Sequence, residues 1–142
     1  MMDVPDRMKG LGFSDEFLAT RRARFLPEAD RWAVQTIGCG VLFVMAFWSG
    51  PARLAFGALK KILAETDPHG RLELVVADTD GCPELYHLPE FRGQLAGAGE
   101  TAWVIDGRVV STALRPTAEA LKSNTLDLLS KCGAQRTQKE TS

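Results

Sequence analysis

The strongest feature of the hydrophobic pattern is an unbroken apolar run over residues 40–48. Its short length and its Val and Phe content predict a strand buried on both faces. Apolar side chains then recur at helical spacing from Pro51 until Asp67-Pro68, which predicts a helix. Residues 71–77 predict a second strand. The order strand, helix, strand indicates a parallel βαβ unit with a right-handed crossover.

The second half of the chain predicts a β-hairpin followed by a helix. Strand-like residues 101–105 and 108–112 lie on either side of Asp106-Gly107. This dipeptide is typical of a type I′ turn, because Asp and Gly both tolerate positive φ. A helix is expected from Pro116 to about Gly133. The connection over residues 78–99 is expected to contain short helical turns.

The N-terminal region predicts helices rather than strands. Ser14 can cap a helix that runs through Phe25, and Pro27 can begin a second helix that stops near Gly38. The whole pattern predicts an α/β fold: a mixed four-stranded sheet, with a parallel βαβ unit followed by an antiparallel ββα unit, helices on both faces and an N-terminal helical extension.

The expected organisation is one domain with loosely ordered ends. Residues 1–12 are expected to be flexible, residues 13–133 to form the domain, and the polar residues 134–142 to form a disordered tail. A length of 142 residues is typical of a single domain with its own core.

The net charge and the lengths of the apolar segments exclude several classes of partner and favour one compartment. The net charge of −1 argues against a nucleic-acid or membrane-surface binder. The apolar run is too short to cross a bilayer, and the first residues lack the apolar segment of a signal peptide. Three cysteines form neither a disulfide scaffold nor a metal-binding spacing, and an odd number favours a reducing compartment. The predicted location is the cytoplasm, with no cofactor or metal.

The junction between the first strand and the long helix carries a recognisable motif. It has the sequence Trp48-Ser49-Gly50-Pro51-Ala52-Arg53. This segment resembles the thioredoxin family, in which an apolar strand ends in Trp-Cys-Gly-Pro-Cys followed by Lys or Arg. The spacing to Asp80 and to the Asp-Gly hairpin also fits this resemblance, which extends over residues 40–131.

The departures from the thioredoxin pattern lie at the residues that carry its chemistry. Ser49 and Ala52 replace the two cysteines that exchange disulfides. Glu100-Thr101 occupies the place of the family's cis-Pro-Thr pair, and Glu100 is expected to follow a trans peptide bond. Phe43 occupies the place of the family's buried acid. The resemblance therefore implies a fold without a dithiol active site.

The first functional hypothesis is a non-catalytic, redox-inactive module that binds proteins, like the cysteine-free, chaperone-like members of the family. Its groove would hold an extended peptide or a protein partner, and a purely structural role is equally compatible with the motif. The oligomeric state stays open. The residues assigned to this remnant of an active site are Trp48, Ser49, Gly50, Pro51, Ala52, Arg53, Asp80, Glu100 and Thr101.

The alternative hypothesis is a redox enzyme that uses a single thiol, that of Cys82, which follows the second strand on the same rim of the sheet as Ser49. Cys39 and Cys132 are interpreted as small buried apolar residues. Ser49 is expected to cap the helix; a nucleophilic serine would need a base, for which His87 is the nearer candidate and His69 the more remote one.

Overall fold

The computed structural model describes residues 23–26, 31–46, 48–82, 85, 89–91 and 97–141. They form a five-stranded mixed sheet in the order β1-β3-β2-β4-β5. The strands are β1 (Ala23–Leu26), β2 (Cys39–Met45), β3 (Glu73–Asp78), β4 (Thr101–Ile105) and β5 (Arg108–Ala113); the α-helices are α1 (Gly50–Thr66) and α2 (Ala118–Thr141), and short 3-10 helices span Arg31–Thr36 and Pro89–Phe91.

The predicted βαβ and ββα units are both confirmed. Strands β2 and β3 pair in parallel, with α1 as the crossover, whereas β4 is antiparallel to both β2 and β5. At the β4–β5 turn, Asp106 and Gly107 have φ values of 48° and 77°, as a type I′ turn requires. The Gly107 N–H donates to the carbonyl oxygen of Ile37 at 2.8 Å, which ties the turn to the chain just before β2.

The sheet has five strands instead of the predicted four, because Ala23–Leu26 is a strand rather than part of a helix. β1 pairs in parallel with β3, and Arg24 lies opposite Val75. The Arg24 Nε lies 2.7 Å from the Glu73 Oε1. An edge strand of four residues carries too little periodicity to distinguish it from a helix, and its pairing partner lies far along the chain.

Each face of the sheet has its own apolar core. α1 and α2 cover one face, where the largest buried side chains include Phe43, Phe56 and Trp103. The other core contains Leu42 and Val44 from β2 together with Cys82, Leu85 and Phe91 from the long connection. Because β2 is central, its side chains are buried alternately in the two cores, which explains its unbroken apolar sequence.

A buried acid determines how α1 turns into β3. Asp67 is 2% exposed, and its carboxylate accepts hydrogen bonds from the backbone N–H groups of Arg71 at 2.9 Å and Leu72 at 2.8 Å. These bonds satisfy two backbone donors of the turn that leads into β3.

Two helical predictions differ from the structure. α2 continues to Thr141, beyond the predicted end near Gly133, and residues 31–36 form a 3-10 helix within the predicted second N-terminal helix. The predictions for Ser14, Pro27, His87 and residues 1–12 lie outside the described residues. No helix in the described ranges is both long and apolar enough to span a bilayer.

Candidate functional site

The corner between β2 and α1 is built around Ser49, which caps the helix as predicted. Ser49 has an extended backbone, and its Oγ accepts a hydrogen bond from the Ala52 N–H at 3.3 Å. Its hydroxyl also donates to the Gly97 carbonyl oxygen at 2.6 Å. Ser49 is 7% exposed, so both bonds lie largely outside water. The hydroxyl thus joins the first turn of α1 to the segment that precedes β4.

Replacement of Ser49 by Ala is expected to lower the free energy of unfolding by about 1–2 kcal/mol. The substitution removes the helix cap and leaves the buried Gly97 carbonyl without its donor. Chemical denaturation of the wild type, Ser49→Ala and Ser49→Thr measures the effect, with Thr retaining the hydroxyl. Equal stability of the Ala variant and the wild type would contradict this assignment.

Trp48 is the most exposed aromatic side chain of the described corner. It is 63% exposed, and its indole N–H donates to the Asp80 Oδ1 at 3.4 Å. A Cβ added at Gly97 would lie 2.5 Å from the indole, so the ring packs directly over this glycine. Arg53 is exposed, whereas Ala52 lies on the buried face of α1. The corner offers an aromatic surface but no sulfur atom.

Glu100 and Thr101 follow soon after Gly97, whose carbonyl oxygen accepts the hydrogen bond from Ser49. The Thr101 hydroxyl donates to the Gly99 carbonyl oxygen at 2.8 Å. Glu100 is 1% exposed, and its Oε2 accepts from the Ala98 N–H at 3.1 Å. Its Oε1 has no hydrogen-bond partner among the described residues. The described residues contain no cis peptide bond.

Cys82 does not share an open rim with Ser49. Its side chain is 0% exposed and lies in the core on the sheet face opposite α1 and α2. The thiol donates to the Leu26 carbonyl oxygen, with the Sγ and the oxygen 3.6 Å apart. Burial of this kind makes a thiol inaccessible to exchange partners. Sequence position alone placed Cys82 at the correct end of β3 but left its face undetermined.

A disulfide that the sequence did not predict joins Cys39 and Cys132. Cys39 is the first residue of β2 and Cys132 lies within α2; their Cα atoms are 6.4 Å apart, and the residues are 93 positions apart in sequence. The interpretation of both as unbonded apolar residues is wrong. Their spacing contains no signal, because only the packing of α2 on the sheet brings them together.

The disulfide lies at the opposite end of the sheet from the Ser49 corner. β2 has 7 residues, so its two ends are about 20 Å apart at a rise of about 3.3 Å per residue. Cys39 is partly exposed, whereas Cys132 is 7% exposed. Neither cysteine lies at a helix N-terminus, where the dipole would stabilise a thiolate. The bond therefore lacks the surroundings of the family's usual dithiol.

The strand order and the crossover helix define a thioredoxin fold. Solved structures with this fold include thioredoxin 2 from Pseudomonas aeruginosa PAO1, which has 20% sequence identity and a TM-score of 0.57 over 76% of this chain and 96% of that one. Mitochondrial thioredoxin 3 from Saccharomyces cerevisiae has 20% identity and a TM-score of 0.54, with coverage of 72% and 94%. No protein-family model matches the sequence, and a comparison with curated proteins finds no match.

The prediction of a non-catalytic, redox-inactive module is wrong. It depended on the absence of a cysteine pair, but the structure contains one, the Cys39–Cys132 disulfide, on a fold that it shares with thioredoxins. The sequence does carry Ser49 and Ala52 at the motif positions, yet loss of redox chemistry does not follow from them. The disulfide also removes the cysteine argument for the cytoplasm, where such bonds are rare.

Proposed function

We propose that this chain is a thiol–disulfide redox protein in which Cys39 and Cys132 form the exchanging pair. The observation that carries the proposal is the disulfide itself, placed on a thioredoxin fold. A single-thiol reaction at Cys82 has less support, because that side chain is 0% exposed. Cys39 and Cys132 would carry out the thiol–disulfide exchange for which the motif lacks cysteines, although they lie at another place in the fold.

Because Cys39 is more exposed than Cys132, we expect exchange to begin at Cys39. A thiolate of a substrate dithiol attacks the Sγ of the partly exposed Cys39, and the S–S bond breaks. The Sγ of Cys132 leaves with the electron pair and takes a proton from solvent. The second thiolate of the substrate then attacks the substrate sulfur that is bonded to Cys39 in the mixed disulfide. Cys39 is released as a thiolate. The substrate loses two electrons and becomes a disulfide, and the chain gains them.

The substrate class that fits is a dithiol with one accessible thiolate, on a protein or a small molecule. A low-molecular-weight disulfide such as oxidised glutathione restores the pair by the reverse steps. Neither cysteine is activated by a helix N-terminus, so we expect exchange to be slower than for a thiol in such a position.

Alkylation of the cysteines in glutathione buffers tests this function. After quenching in denaturant, the oxidised wild type should carry one alkyl group and the reduced protein three, since the chain has 3 cysteines of which two are bonded. Oxidation of a dithiol peptide should be lost in Cys39→Ser and Cys132→Ser.

Two controls make this experiment decisive. Cys132→Ser should accumulate a mixed disulfide with glutathione at Cys39 faster than Cys39→Ser does at the more buried Cys132. Cys82→Ala should retain the oxidation of the dithiol peptide. Three alkylated cysteines in wild-type protein equilibrated with oxidised glutathione would refute the proposal. Loss of peptide oxidation in Cys82→Ala, with activity retained in Cys39→Ser and Cys132→Ser, would also refute it.

A further inference from the structure

A buried hydrogen bond forms a second link between α2 and the sheet. The Trp103 indole N–H donates to the Thr125 Oγ1 at 3.1 Å. Both side chains are 0% exposed. Trp103 lies in β4 and Thr125 lies in α2, so the bond crosses the layer between sheet and helix. Because both groups are shut off from water, a small shift of the docked helix that breaks this bond would leave a buried donor unpaired.

The hydrogen bond and the disulfide connect the same two surfaces. Thr125 and Cys132 are two helical turns apart and lie on one face of α2, together with the buried Leu128. On the sheet, Trp103 and Ile105 are two residues apart and share a face. Ile105 lies directly opposite Cys39 in the β2–β4 register. The two links therefore follow one another along a single interface.

The helix face between the two links has few other anchors. Between Thr125 and Gly133, the side chains of Leu128 and Cys132 are buried, and that of Leu129 is partly buried. Leu126 is 47% exposed. When the disulfide opens, the Trp103–Thr125 bond and a short apolar strip still connect this part of α2 to the sheet.

We infer that Thr125 is a positioning residue for the redox pair, and this inference rests on the proposed function. Its hydroxyl, held by Trp103, keeps α2 docked in one register while the disulfide is open, so the Cys132 thiol stays beside Cys39. A shift of the helix by one residue would rotate Thr125 away from the indole and leave the N–H unpaired. Thr125 raises the effective concentration of one thiol at the other, and this favours the disulfide at equilibrium.

The equilibrium between the chain and glutathione measures this role. Thr125→Val keeps the side-chain volume and removes the acceptor. It is expected to lower the equilibrium constant for disulfide formation about threefold to tenfold, the range of one hydrogen bond. Thr125→Ser restores the hydroxyl and is expected to restore the constant. Trp103→Phe removes the donor instead and should shift the constant in the same direction.

A matched control separates this role from a general loss of stability. Thr66→Val makes the same change at the end of α1, where the hydroxyl bonds the Ile62 carbonyl oxygen at 2.7 Å, and should leave the constant within twofold of the wild type. Near-ultraviolet circular dichroism confirms that each variant is folded. A wild-type constant in Thr125→Val would overturn the inference, while a wild type that forms no disulfide would overturn the proposed function instead.

Discussion

Reduction of the Cys39–Cys132 bond is expected to lower the free energy of unfolding by about 2–5 kcal/mol. The two cysteines are 93 positions apart, so the bond closes a loop that contains most of the described strands and α1. Opening it returns a large conformational entropy to the unfolded chain. Denaturant titration of the oxidised and reduced wild type, at equal pH and salt, measures the difference.

Cysteine variants identify the bond responsible for this effect. In Cys39→Ala/Cys132→Ala, oxidant and reductant should give the same unfolding midpoint. Cys82→Ala provides the control, because this residue is outside the disulfide. The variant should be less stable than the wild type, but the difference in unfolding midpoint between its oxidised and reduced forms should persist. A gap that survives in the double variant would show that another process causes it.

Phe56→Ala is expected to destabilise the protein by about 3–5 kcal/mol. Phe56 is 0% exposed and belongs to the core between α1 and the sheet. Its ring centroid lies 5.2 Å from that of Phe43 in β2, with the planes tilted by 49°. Truncation removes this aromatic pair and leaves a cavity that the surrounding strand and helix cannot close without moving.

The neighbouring Leu54 offers a control on the same helix. It is 79% exposed, so Leu54→Ala should change the free energy of unfolding by less than about 0.5 kcal/mol. Both variants replace an apolar residue of α1 by Ala, which keeps helix propensity favourable. Similar losses in the two variants would contradict the burial assigned to Phe56.

Local patterns predicted most of the regular elements. The unbroken apolar sequence of β2 reflects burial on both faces, and the Asp106-Gly107 turn reflects the need for positive φ at two positions. The hydroxyl of Ser49 predicted a helix cap, because N-caps depend on the few residues around them. In each case the cause lies within a short segment of chain.

Non-local contacts produced the errors. β1 is a strand because it pairs with β3, which lies far along the chain. Cys82 is buried because the long connection folds onto the second core. Neither of these outcomes is determined by a short sequence window, since each depends on which surface a distant element presents.

By itself the sequence determined the thioredoxin-like order of elements from β2 to α2 and the absence of cysteine from positions 49 and 52, because hydrophobic period, turn chemistry and residue identity are local properties. Only the tertiary structure decided where the remaining sulfur atoms lie. Packing of α2 against the sheet places Cys132 beside Cys39, and the layered fold buries Cys82. A disulfide between distant residues depends on a distance in space, and that distance exists only once the helix is docked.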